Sequence, residues 1–435
     1  MPSSRFASPI QIALILALAQ FAANADKAVV SVFAPDLRAA FALSDTQIGS
    51  LQGGPFVIGY LLAVLWAGTR AALPASGRYV AGCVLLWTLG AAVFATAGGY
   101  EMLLFGRLIL ACGQAAFIPV AVAILTGQAG DNGPAQGLSA FTASSAVGRS
   151  GGLLLGGLLL AGATAVETTA IGLPALAPWR IAALAMLVPN LVLATVLLAS
   201  PVVTERKPVT RDTPAGLRPA LERLFGSLRP LAWLVAGAGV IVVVQSCATW
   251  GPSILHRAHG LTTAQAAGLI GGVTLVAAPL GHLAAGRAMT QGQPAAGHPA
   301  LLLAGAMLMA VAAALVLATS PGLVLTIVAL GALIATSGFG AALVLIAYQP
   351  LFEPRLRRAA NSLFFASVTV VGSALGPAVT GLISDRSAPD GSHLAQALAL
   401  VTVVAGSLVL LMALILARRE PSQPPDLTGT ALPPS

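Results

Sequence analysis

Twelve apolar stretches, separated by short polar, Gly- or Pro-containing turns, run the length of the chain. They fall at about 10–33, 46–69, 79–98, 101–126, 137–161, 179–199, 230–254, 263–286, 299–319, 321–347, 359–383 and 394–417. Each is about 20 residues or longer, enough to cross roughly 30 Å of hydrocarbon as a helix. The strict alternation of a barrel strand is absent, and a helix is then the structure that satisfies its own backbone in lipid. The pattern predicts an all-α integral membrane protein with twelve transmembrane helices.

The pattern also repeats. LSDTQIGSLQGG at Leu43–Gly54 returns as LTTAQAAGLIGG at Leu261–Gly272, 218 positions later. At a shift of 224, Phe141, Gly148, Gly152, Gly157 and Leu158 return as Phe365, Gly372, Gly376, Gly381 and Leu382. Within the first repeat, Ser44 with Gln47 and Thr262 with Gln265 have the spacing of a capping box, which opens a helix. A duplication in an apolar chain predicts two pseudo-symmetric six-helix bundles, 1–199 and 230–419, with a transport path between them. The Pro- and Arg-rich stretch 200–229 reads as a linker, and 420–435 as a Pro-rich disordered tail.

Composition agrees with burial in lipid. Charged residues are 8% of the chain and apolar residues 57%, too few charges to cover a soluble fold of 435 residues. The net charge of +8 is informative through its placement. With both termini cytoplasmic, fifteen basic residues collect on that side, six of them in the linker: Arg206, Lys207, Arg211, Arg218, Arg223 and Arg229. Four, Arg38, Arg180, Arg257 and Arg386, fall on the other. The positive-inside rule then fixes the topology, and the basic excess gives no support to nucleic-acid binding. Arg5, the following apolar run and Ala23-Asn24-Ala25 resemble a secretory signal, but cleavage would break the six-plus-six repeat, so an uncleaved first helix is expected. Cys83, Cys112 and Cys247 lie in apolar spans and form neither a disulfide framework nor a metal site, and no cofactor is expected.

Charges in hydrocarbon are costly and mark function. Four remain inside the spans: Asp26, Lys27, Arg107 and Arg149, with Asp26 the only carboxylate. With a rise of ~1.5 Å per residue, Asp26 lies roughly 10 Å and Arg107 roughly 9 Å below the outer edge. The two are therefore expected to be level. Arginine favours the charged carboxylate and burial favours the neutral one, so the pair suits proton coupling; a static helix–helix tie is the alternative. Gln114 follows Arg107 on the same face. Thr142, Ser145 and Arg149 form a second polar stripe on the fifth span. No acid in the same half is left to pair with Arg149, which fits either an anionic substrate group or backbone carbonyls at a Gly-rich crossing. Lys27 either lines the path or reaches toward the surface. In the second half Gln245, Thr249 and Asn361 are the polar candidates, and Trp250 reads as an interface anchor. That half has no embedded acid or base, so it is expected to present an apolar wall to an amphiphilic substrate with one charged end.

These features resemble the major facilitator superfamily across the whole chain. The resemblance rests on the repeat, F-x-x-x-Y-x-x-x-x-x-x-x-G at Phe56–Gly68, the Arg107-led run GRLILACGQAAFIPVAVAIL and GSALGPAVTGLISD at Gly372–Asp385. Within it, Asp26-Lys27, Phe41, LSDTQIG and Arg107 before Gly113-Gln114-Ala115 are similar to the spinster-like group. That resemblance implies Asp26 and Arg107 as the proton-coupling pair and lipid-like substrates such as lysophospholipids or sphingoid phosphates. Gln114 stands where the group has glutamate. Gly68–Arg78 lacks the superfamily's loop Asp, Ala285 replaces its counterpart, and Gly127–Gly137 has no arginine. The inner gate is therefore expected to close by packing and dipoles alone, weakening the outward-facing state.

The expected function is proton-coupled secondary transport of an amphiphilic or anionic organic molecule by a monomer in a bacterial cytoplasmic membrane. An organic-anion symporter, a drug efflux transporter or a facilitator without ion coupling is the alternative. Efflux pumps carry Gly-Pro on the fifth helix, where this chain has Gly148-Arg149-Ser150-Gly151. An enzyme acting on lipid would need a nucleophile–base pair or metal ligands at one depth, and a sensor would need large soluble extensions; neither is present in the sequence.

Overall fold

Both capping boxes form. Ser44 N donates to Gln47 Oε1 at 2.9 Å while Gln47 N donates to Ser44 Oγ at 3.2 Å. Thr262 and Gln265 repeat the exchange at 3.0 and 3.2 Å. They open α2 (Asp45–Gly68) and α10 (Thr263–Thr290). The residues before them match too: Ala42 (φ 51°) and Gly260 (φ 65°), 218 positions apart, end the preceding helices in the left-handed region. The sequence repeat is thus a repeat of two turns.

In the computed structural model these turns belong to a bundle in which every described element is helical. The structure describes residues 9–68, 76–126, 133–166, 176–199, 217–290, 299–320, 322–353, 356–388 and 390–418. The first bundle contains α1 (Pro9–Phe41), α2, α3 (Gly77–Ala95), α4 (Tyr100–Thr126), α5 (Gly133–Ala165), α6 (Pro178–Ala185) and α7 (Leu187–Ala199). A short α8 (Leu217–Phe225) lies in the linker. The second bundle contains α9 (Leu228–His259), α10, α11 (Pro299–Thr319), α12 (Leu323–Tyr348), α13 (Arg357–Ser387) and α14 (Leu394–Ala417). Eleven crossings are long and apolar enough to span a membrane, with α6 and α7 together forming one of them. With α2 they make the twelve-helix arrangement. Leu158, Met309 and Val324 are more than 60% exposed on the outside of the bundle, as lipid contact requires.

Several bounds differ from the sequence reading. α1 runs to Phe41 rather than 33; its 33 residues span roughly 50 Å, so its last turns stand beyond the hydrocarbon. The sixth crossing is interrupted at Met186 because Pro189 has no amide hydrogen for the carbonyl four residues earlier and its ring crowds that carbonyl. α9 continues through Trp250-Gly251-Pro252, and Trp250 is a core residue rather than an interface anchor: it is fully buried and donates Nε1 to Pro377 O at 3.0 Å. Part of the linker forms α8. The proposed tail and the loop segments 69–75 and 127–132 of the inner gate lie outside the described residues.

The echoed glycines are points of close backbone approach. α5 lies on α1 and α13 on α9, while α5 meets α10 and α13 meets α2 across the halves. A Cβ on Gly152 would come 2.5 Å from Ala25 O, and one on the equivalent Gly376 would come 2.6 Å from Val242 O. Gly157 abuts Ala264 O and its counterpart Gly381 abuts Asp45 O, both across the two halves. A backbone carbonyl cannot rotate aside, so these contacts require glycine. Gly152→Ala and Gly376→Ala are expected to destabilise the detergent-solubilised protein by about 1–3 kcal/mol. Gly305→Ala, with nothing within 4 Å, should be neutral or stabilising. Thermal unfolding monitored by light scattering checks the contrast; equal effects at the three positions would contradict it.

Candidate functional site

α1 supplies the acid. Asp26 is 3% exposed, and its Oδ2 accepts a hydrogen bond of 2.8 Å from Asn190 Nδ2 on α7. Arg107 on α4 is 1% exposed and reaches the same point of α1. Its Nη1 donates to the backbone carbonyl of Asp26 at 3.1 Å. Its Nε donates to Leu51 O at 3.4 Å and Nη2 to Gln52 Oε1 at 3.4 Å. The acid and the guanidinium are therefore level and adjacent, but they do not form the direct ion pair expected from the sequence. Arg107 is solvated by carbonyls, and the carboxylate by an amide. Both line a cavity of about 10 Å³, room for about one water, closed by Val29, Phe94, Leu110 and Met186.

Beside this pair is a cationic surface. Phe56 of α2 is flanked by Lys27 Nζ, 5.0 Å from the ring centroid, and by Arg107 Cζ at 4.8 Å. A ring face attracts each cation electrostatically and replaces part of its lost hydration. Lys27 is half-buried and turned toward this ring rather than out to the surface. Arg149 is half-buried on α5, and its Nη1 donates to Gln245 Oε1 of α9 at 3.3 Å. Gln245 Nε2 in turn donates to Ser373 Oγ of α13 at 2.8 Å. The Arg149 side chain thus bridges the halves through neutral partners, rather than bonding to carbonyls at the Gly-rich crossing.

The remaining candidates divide. Gln114 donates Nε2 to Ala23 O at 2.8 Å, leaving a buried Oε1 unpartnered among the described residues. Ser145 accepts from Gln20 Nε2 at 2.6 Å, and Thr142 on the same stripe is exposed. Thr249 is fully buried, with its hydroxyl unpartnered among the described residues, and Asn361 likewise holds a buried, unpartnered Oδ1. The structure gathers Asp26, Lys27 and Arg107 around α1 and joins Arg149 to Gln245, while among the described residues no hydrogen bond ties the Thr249 hydroxyl or Asn361 Oδ1 to that group. Asn190 and Gln52 were missed by the charge-based search because they are neutral. The available signal was an asparagine just after Pro189 in an otherwise apolar span.

A second polar cluster, also unread from sequence, closes the far end of the cleft. The Asp45 side chain is fully buried. Its carboxylate accepts from Arg257 Nη1 at 2.8 Å and Nη2 at 2.7 Å, from Arg38 Nη1 at 2.6 Å and from Ser384 Oγ at 2.8 Å. Asp385 of α13 accepts from the amides of Asp45 and Thr46 at 2.9 and 2.8 Å and from Thr46 Oγ1 at 2.6 Å. A carboxylate from one half thereby caps the N-terminus of α2 in the other, where free amides and the helix dipole favour negative charge. Of the four basic residues on this sparse side, Arg38 and Arg257 hold Asp45. Arg180 donates to Ala95 O and Ala97 O at the end of α3 at 2.8 and 2.6 Å, and Arg386 is exposed. Asp45→Asn removes a fully buried charge shared by two part-buried guanidinium groups, a loss of about 3 kcal/mol, the lower end of the range for a buried pair. Spin labels on the neighbouring ends of α2 and α13 should then report an open population at least tenfold larger, while Arg386→Gln leaves the distance distribution unchanged. An unaltered distribution in Asp45→Asn would contradict the lock.

The chain as a whole matches a known family. The family model described as "Major Facilitator Superfamily" matches residues 16–353. An MFS-type efflux pump of Mycolicibacterium smegmatis is 27% identical over 406 residues, covering 90% of this chain and 88% of the relative. A bacterial homologue of the human lysosomal transporter Spinster, in an inward-facing and unoccupied conformation, superposes with a TM-score of 0.76 at 19% identity, covering 94% of this chain and 98% of that one. A D-xylose–proton symporter superposes with a TM-score of 0.70 at 15% identity, covering 94% and 98%. With its duplicated helical halves and a superfamily match over most of its length, the chain belongs to the Major Facilitator Superfamily, as a multi-pass secondary transporter and not an enzyme.

Proposed function

We propose that this chain carries an anionic or amphiphilic organic molecule by alternating access, driven by a proton gradient across a bacterial cytoplasmic membrane. Asp26 is the proton site, Arg107 its positioning partner, and Lys27 and Arg149 the anion-facing cations. The observation that carries this reading is how the Asp26 carboxylate is held. An acid locked in a bidentate ion pair must break that pair to take a proton, whereas Asp26 is held by the neutral Asn190 beside a water-sized cavity. Protonation therefore removes one charge without stranding Arg107, whose donors already rest on carbonyl oxygens.

Substrate charge follows from the same cluster. Lys27, Arg107 and Arg149 stand together against a single acid, and Arg149 and Lys27 are the two with partial exposure. A carboxylate, phosphate or phosphodiester would take the place of Gln245 on Arg149 as a charge-assisted partner. Lysolipids and sphingoid-like phosphates, the class implied by the sequence resemblance to the spinster-like group, meet that requirement and add an apolar tail. Efflux of organic anions is the second reading, favoured by the named activity of the Mycolicibacterium relative. The carrier acts as a monomer and needs no cofactor beyond the gradient.

Proteoliposomes loaded with a fluorescent lysophosphatidylglycerol provide the test. Wild-type flux should rise when a pH gradient is imposed and fall when an ionophore collapses it. Asp26→Asn should retain exchange but lose the response to the gradient. Arg149→Ala should weaken ligand affinity about tenfold to a hundredfold, the effect of losing a charged hydrogen bond. Gradient-independent flux in the wild type would remove the coupling claim, and unchanged affinity in Arg149→Ala would remove its docking role.

A further inference from the structure

The linker helix α8 carries a site that transport does not use. It ends two residues before α9 starts, so it lies at the membrane surface on the Arg-rich side. Its inner face is apolar, with Ala220 fully buried and Leu224 2% exposed against the second bundle. At its end the large side chain of Phe225 is 68% exposed, followed by Leu228 at 42%. A helix that displays aromatic and aliphatic side chains beside arginines at this depth has the composition of an interfacial element.

Next to it is a recess of about 360 Å³, within the roughly 300–1,000 Å³ of small-ligand sites. Its lining includes Arg223 of α8, Leu351, Phe352, Glu353 and Leu356 after α12, and Arg357 at the start of α13. Arg223 has no hydrogen-bond or ion-pair partner among the described residues. Its neighbour Arg218 pairs instead with Glu222 at 2.9 Å. Arg357 uses only Nε, donating to Phe352 O at 3.1 Å, which leaves its Nη groups with no acceptor among the described residues. Two guanidinium groups with spare donors face one carboxylate, so the recess is positive by one charge.

We propose that this recess binds the headgroup of an anionic phospholipid, its phosphodiester between Arg223 and Arg357 and an acyl chain along Phe225 and Leu228. The single negative charge of a phosphatidylglycerol headgroup matches the net charge of the wall. The exposed apolar pair distinguishes a lipid from a free anion, which would gain nothing from Phe225. Bound lipid links the linker helix to the ends of α12 and α13 in the second bundle. Arginines near an anionic surface contribute about 1 kcal/mol each, so losing Arg223 weakens binding about fivefold.

The full-length protein in nanodiscs of equal phosphatidylglycerol and phosphatidylcholine, released into detergent and weighed by native mass spectrometry, tests the site. The wild type should retain phosphatidylglycerol in preference to phosphatidylcholine, and Arg223→Gln should retain about fivefold less. Arg218→Gln removes the same charge from the same exposed helix outside the recess and should retain as much as the wild type. Equal losses in the two variants would reduce the effect to general surface attraction and overturn the site. Equal retention of phosphatidylcholine, or of phosphatidylethanolamine in its place, would overturn the headgroup assignment. Displacement of the lipid by millimolar glycerol phosphate would overturn a lipid occupant in favour of a soluble anion.

Discussion

An ion inside a membrane must be solvated by the protein, because hydrocarbon offers nothing in place of water. Every functional feature of this chain follows from how that requirement is met. Asp45 is met by two guanidinium groups and a serine, and the result is a rigid tie between halves. Asp26 is met by one amide, which leaves the acid outside any ion pair and is the basis of its proposed role as proton site. Arg107 is met by carbonyl oxygens and the face of Phe56, and Arg149 by a glutamine from the other half. The same side-chain types perform different tasks because their partners differ.

Close glycine packing and directional polar bonds both hold the halves together. Glycine-mediated backbone approaches between α2 and α13, and between α5 and α10, supply dispersion contact that reforms in any state bringing the helices together. The Asp45–Arg257 and Asp385–Thr46 contacts are directional, and they form only when the far end of the cleft is shut. The superfamily's inner-loop acid is missing from the sequence between Gly68 and Arg78. Under the proposed function, a substrate held between Arg149 and the second half would supply attraction that favours leaving the closed far gate.

Much of this was legible in the sequence, for physical reasons. Helix length and apolarity are imposed by the bilayer, so the twelve crossings could be counted. Capping residues act locally, so Ser44–Gln47 and Thr262–Gln265 could be read as helix starts from spacing alone. Buried charge is rare, so a search restricted to it found Asp26, Lys27, Arg107 and Arg149. The partners were harder. Asn190 and Gln52 are neutral, and no spacing rule connects residue 190 to residue 26. Arg38 and Arg257 were counted as topology charges and Asp45 and Asp385 as motif letters, although together they form the far gate. Level helices also gave the right neighbourhood for Asp26 and Arg107 but the wrong bond, because sequence fixes depth and not which oxygen a guanidinium meets.

In the proposed mechanism Asp26 exchanges a proton as ligand binds, while Arg107 keeps its carbonyl partners. Purified protein in weakly buffered detergent solution, with a pH-indicator dye and a lysophosphatidylglycerol titrated in, measures that exchange directly. Linkage predicts about one proton taken up or released per bound ligand in the wild type and none in Asp26→Asn. The same proton count in both proteins, or none in either at saturating ligand, would contradict the account.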